Sequence, residues 1–191
     1  MKLQFFSDSY DIVKKSLLGW LVEFGPWAAH PMFTHTTRDA EAADFSRFLG
    51  VPLISTQVLS PECNRDQYFA SCYERRSFFL DPDTGIRLKT IEGRRASEFV
   101  FATELVKLTR ARPHGLTLTF DQSLARGREQ EQVQEKLAHF GVRGIHGFAY
   151  VSHASFIVLG HSADLVQRAR EQLQAQSALP ARRIITCDRS G

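Results

Sequence analysis

The ten residues Ser77-Phe78-Phe79-Leu80-Asp81-Pro82-Asp83-Thr84-Gly85-Ile86 constrain this chain more than any other stretch. An apolar run stops at two carboxylates, a proline and a glycine. That is the pattern of a buried strand reaching the carboxyl edge of a sheet and turning into a loop. Open α/β sheets bind ligands in the crevice at that edge. Two aspartates two residues apart can hold a metal, a hydroxyl or a target amine there, so the segment predicts a site without naming a reaction.

The rest of the chain supplies strands and helices in alternation. Lys2 to Phe6 reads as a short strand ending near Asp8, and Val13, Leu17, Trp20, Leu21 and Phe24 have the spacing of an amphipathic helix. Trp27 to Phe33 and Val51 to Ser55 read as further strands around a helix over Arg38 to Leu49. A helix is expected around Tyr68 to Glu74, and a charged loop over Thr84 to Arg95. Ser97 is placed to cap a helix carrying Phe99, Val100, Leu105, Val106 and Leu108.

Leu116 to Phe120 is a clear strand ending on Asp121, and a polar loop then leads to a helix through Val133, Leu137 and Phe140. Ile145 to Val151 and Ser155 to Leu159 flank Ser-His-Ala as an antiparallel hairpin. Ser162 caps a helix with Leu165, Val166, Ala169 and Leu173, and Arg183 to Thr186 closes the chain as a strand. The alternation predicts an α/β fold, a Rossmann-like three-layer sandwich with a mostly parallel sheet and a C-terminal antiparallel hairpin. With 191 residues the chain fits a single domain, residues 1–191.

Charge and cysteine usage narrow the setting. Arginine supplies 18 of 24 cations, and its fork suits phosphate and carboxylate, but a net charge of +3 does not demand a nucleic-acid partner. The longest apolar stretch, Leu17 to Phe24, is too short for a membrane span and carries Glu23. Cys63, Cys72 and Cys187 have no metal-type spacing and suit reduced thiols in a cytoplasm.

Three predicted strands end in acids: Asp8, Asp81 with Asp83, and Asp121. Neighbouring parallel strands would bring those acids to one edge. Aspartates also cap helices and begin turns, the plainer reading of each. Asp11 and Lys14, three apart, share a helix face and either form a salt bridge or join Asp8 and Asp81 in the cleft. Gln122 and Arg126 follow the Asp121 strand, where a glutamine can read a base or a ribose and an arginine can hold a phosphate. His153 at the hairpin tip is a candidate acid or base, while His30 and His35 fit no zinc pattern.

Phe78-Phe79-Leu80-Asp81-Pro82 resembles the Phe-Phe-x-Asp-Pro motif of amino-group methyltransferases and of three-Cys-motif partner proteins. Asp8-Ser9-Tyr10-Asp11-Ile12-Val13-Lys14, taken with Phe79 to Gly85, is also similar to a group of bacterial proteins. That group pairs Asp-x-x-Asp-x-x-Lys with Phe-x-Asp-Pro-Asp-x-Gly.

The methyltransferase resemblance implies a Rossmann-like sheet closed by an antiparallel hairpin and S-adenosylmethionine as cofactor. Asp81 would accept from the target amine of a nucleic acid or nucleotide. Asp11, Lys14, Gly85, Asp121, Gln122 and Arg126 would serve the cofactor. The chain departs from that family in offering Phe6-Ser7-Asp8 where a glycine-rich turn is usual, and Asp83 where an aromatic is expected.

The acids support a second expectation, a Mg²⁺-dependent nuclease or phosphotransferase with Asp8, Asp81 and Asp83 as catalytic metal ligands. A third is a non-catalytic Rossmann-like partner protein.

Overall fold

The computed structural model describes residues 8–187. In chain order the first elements are α1 (Ser9–Trp20), β1 (Trp27–His30), α2 (Asp39–Leu49) and α3 (Arg65–Tyr68). Then come β2 (Ser77–Leu80), β3 (Gly85–Arg87), β4 (Phe99–Phe101), α4 (Ala102–Arg110) and β5 (Leu116–Asp121). The chain finishes with α5 (Glu129–Gly141), β6 (His146–Val151), β7 (Ser155–Gly160), α6 (Ala163–Ser177) and β8 (Ile184–Thr186). The strand expected over Lys2 to Phe6 lies outside the described residues.

Six strands form one sheet in the order β1-β2-β5-β7-β6-β8, and β3 and β4 form a separate two-stranded parallel ribbon. The large sheet corrects the expectation of a mostly parallel Rossmann-like sandwich. Only β1–β2 and β2–β5 pair in parallel; β5–β7, β7–β6 and β6–β8 are antiparallel. The cause is insertion. The second strand of the hairpin, not the first, pairs with β5, and β8 then returns antiparallel along β6. The protein is therefore an α/β fold with a mixed sheet, closed by the expected hairpin.

Side chains alternate across the sheet. Phe79, Leu118 and Phe120 join the apolar cluster with Leu17 and Leu21 of α1, Phe45 of α2 and Leu165 of α6. Phe78 and Leu80 join the other cluster, with Leu105 of α4 and Val133 and Leu137 of α5. Each fully buried Phe or Leu contributes about 1.5–3 kcal/mol. The strand starts are stitched together by Ser77, whose hydroxyl donates to the Phe24 carbonyl (2.6 Å) and accepts from the Leu116 amide (3.0 Å).

Several local expectations are corrected. Trp27 to Phe33 is a strand only as far as His30, and Val51 to Ser55 contributes one isolated bridge, Ala29 with Leu53. The helix expected around Tyr68 to Glu74 is a short α-turn followed by a 3-10 turn over Ala70–Cys72. The loop of Thr84 to Arg95 contains β3, and Phe99 and Val100 belong to β4 rather than to a helix. Ser97 sits in a 3-10 turn, while the Glu104 carboxylate caps α4 by accepting from the Phe101 amide (2.8 Å).

Candidate functional site

Two buried ion clusters occupy the carboxyl edge of the sheet. The first is built on α1. Asp8 caps the helix, its Oδ1 accepting from the amides of Tyr10 (2.8 Å) and Asp11 (3.1 Å). One turn on, Lys14 lies on the same face as Leu17, Leu18 and Leu21, and its Nζ is carried to the end of β2. There it donates to Asp81 Oδ2 and Asp11 Oδ1, both at 2.9 Å, and lies 4.7 Å from the centre of the Phe120 ring. The side chains of Lys14 and Asp81 are only 6% and 1% exposed.

Two carboxylates share one ammonium here. Burial works against the Lys14 charge, but Asp81 and Asp11 together outweigh it and hold the lysine pKa above its ordinary value. Burial also pushes the Asp81 carboxyl up, and outweighs the opposing Lys14 charge; the neighbouring Asp11 adds a smaller upward push.

The second cluster is built on β5. Register pairs Leu80 with Thr119, so Asp81 comes level with Phe120 and Asp121 extends one residue further. Alternation then turns Asp121 to the opposite face, in line with Thr117 and Thr119. Its Oδ1 accepts from the amides of Ile86 (3.1 Å) and Ser123 (3.0 Å) and from the Ser123 hydroxyl (2.6 Å). Its Oδ2 accepts from Lys136 Nζ of α5 at 2.5 Å, and Lys136 also donates to Ser123 Oγ (2.8 Å).

The Asp121 cluster docks the β3–β4 ribbon. Gly85 has φ +141°, and a Cβ on it would lie 2.1 Å from Asp121 Oδ1. Thr84 completes the junction, donating through its amide to the Glu98 carbonyl and accepting from the Gln122 amide. Between ribbon and α5 opens a polar cleft of 390 Å³, lined by Thr84, Arg87, Arg95, Ser123, Glu135 and Lys136 among others. Arg87 is exposed and stacks its guanidinium 4.9 Å from the Phe99 ring centre.

The structure thus brings Asp11, Lys14 and Asp81 together, with Asp8 at the head of the same helix. Gly85 and Asp121 meet on the other face of the sheet. Asp83 is half-buried in the bend between β2 and β3, and Gln122, Arg126 and His153 are exposed. Lys136 and Arg87 are not among the residues that the sequence reading singles out. Lys136 had a signal: it stands three residues after Val133 and four before Phe140, on the buried face of its helix, where a lysine requires a partner.

Four of the six residues expected to hold adenosylmethionine are engaged within the fold, while Gln122 and Arg126 stay exposed. Asp11 and Lys14 are engaged with each other and with Asp81, Gly85 is filled against Asp121, and both Asp121 oxygens are occupied. The acids do not fit a magnesium site. Asp81 is held by an ammonium where a cation would coordinate, Asp8 is turned to its helix amides, and no group of three or more His, Cys, Asp or Glu among the described residues is placed to hold a metal.

The fold and these clusters define an α/β protein with a mixed sheet and a polar cleft at its carboxyl edge. Compared with protein-family models, curated proteins and solved structures, the chain gives no match. Among the described residues, no helix is long and apolar enough to cross a membrane.

Proposed function

We propose that this protein binds a phosphate-bearing ligand, a nucleotide or a stretch of nucleic acid, in the cleft between the β3–β4 ribbon and α5. One observation carries the reading. Lys136 stands in the cleft wall with two of its three donors committed to Asp121 and Ser123 and the third uncommitted among the described residues. Its own charge is balanced by Asp121, and Arg95 is paired with Glu98 at 3.4 Å, so added attraction at the rim comes first from Arg87 and then from the exposed Arg95, with Glu135 as the acid in the lining. Arginine forks recognise phosphate oxygens in pairs, and Phe99 supports the Arg87 guanidinium from beneath. The cleft lies where α/β proteins bind ligands, and its volume is in the range of small-molecule sites.

The test is fluorescence anisotropy of a labelled single-stranded oligonucleotide, with a mononucleotide as competitor, across a salt series. Arg87→Gln and Arg95→Gln suit it, since both residues are exposed and their loss spares the core. The expected result is binding that weakens with salt, and weakens about tenfold with each arginine removed. Binding indifferent to both arginines, or none at low salt, sinks the proposal. A thermal shift with adenosylmethionine alone would favour the methyl-transfer reading instead.

A further inference from the structure

A second cavity lies at the opposite edge of the sheet, over the start of β6 and between the end of α5 and the first half of α6. It measures 760 Å³, and its lining includes Leu137, Gly141, Val142, Val166, Arg170 and Cys187. Its character differs from that of the phosphate cleft. Val142 is 82% exposed at its rim, a large apolar side chain left in water. Gly141 leaves the wall open, since a Cβ there would meet no atom within 4 Å.

Among the polar groups in this mainly apolar lining, Arg170 stands out. Arg170 Nε is buried, and among the described residues it has no hydrogen-bond partner. A buried N–H without an acceptor is unfavourable, so the position calls for one. Asp164 also lines the cavity but is paired with Arg168 at 3.1 Å, which leaves Arg170 as the cation without a counter-ion there.

We infer that this groove binds a small amphiphilic acid. Its carboxylate meets the Arg170 guanidinium, and its hydrocarbon body covers Leu137, Val142 and Val166. Charge complementarity selects an anionic head, and the apolar walls select the body. The site is separate from the phosphate cleft and stands or falls independently of it.

Decanoate and decanol, titrated by calorimetry, test it, with alkylation of the exposed Cys187 as a second readout. Decanoate is expected to bind and to slow alkylation. Arg170→Gln should weaken decanoate about tenfold and leave decanol unchanged, because only the acid uses the guanidinium. Gly141→Leu should block both ligands by filling the wall. Arg170→Gln decides the matter, since the Arg170 side chain makes no hydrogen bond among the described residues for the fold to lose. Absence of saturable decanoate binding, or equal affinity in the Arg170→Gln protein, overturns the inference.

Discussion

Lys14 Nζ lies 2.9 Å from Asp81 Oδ2, joining the first helix to the end of the second strand across 67 positions of sequence. Both groups are almost wholly buried, and Asp11 shares the same ammonium. The aspartate at the head of the Asp-Pro-Asp motif is therefore a counter-ion within the fold.

Removing the ammonium should cost far more than removing one acid. Lys14→Met takes the shared ammonium from two buried carboxylates and should destabilise by about 3–5 kcal/mol. Asp81→Asn leaves a balanced Lys14–Asp11 pair and should cost only about 1 kcal/mol. Urea denaturation of both variants measures the order, and a reversed order contradicts the cluster as described.

Gly85 is fixed by contact as well as by backbone. Gly85→Ala must place a methyl against Asp121 Oδ1 at a φ of +141°, and a loss of about 2–4 kcal/mol is expected. Gly127→Ala is the control. It also has a positive φ, +82°, but nothing lies within 4 Å, so about 1 kcal/mol is expected. Equal losses in thermal melts would mean that the ribbon does not press on Asp121.

Asp121→Asn should loosen the ribbon without unfolding the sheet. The amide group keeps an acceptor for some of the donors on Oδ1 but turns a donor towards Lys136, a repulsive exchange worth about 2–3 kcal/mol. Amide hydrogen exchange at Ile86 and Ser123 should quicken while exchange at Phe79 and Leu118 stays slow. Unchanged exchange at Ile86 speaks against this role.

His30 makes stability depend on pH. It is fully buried against Tyr68 and Phe69, and burial lowers its pKa from 6.5 to about 4. The unfolded chain takes up a proton below 6.5 while the folded imidazole stays neutral until about 4. Stability from this group is therefore full above 6.5 and is lost as pH falls through that window, on the order of 3 kcal/mol in all. His30→Phe should flatten that part of the pH profile, measured by denaturation at several pH values. The same slope in both proteins would refute the assignment.

Much of the frame was legible in the sequence, for physical reasons. Ser77 to Leu80 and Leu116 to Phe120 are short apolar or alternating runs bounded by polar residues, and the hairpin at Ser152-His153-Ala154 joins two apolar runs. The Asp11–Lys14 pair followed from helical spacing. The β3–β4 ribbon did not follow. Its strands are three residues each, and its docking depends on a glycine and an aspartate 36 positions apart meeting in space. The order β5-β7-β6 was hidden because nothing local says which hairpin strand pairs with β5. The face taken by Asp121 depends on one residue of register, which no single strand reveals.

Backbone amide shifts recorded while adenosine monophosphate is titrated into the protein show where a phosphate binds. The changes should gather at Thr84, Arg87, Arg95, Ser123 and Lys136 and shrink as salt is raised. Shifts centred on Lys14 and Asp81 instead, or no saturable shifts at low salt, would contradict the cleft as the binding site.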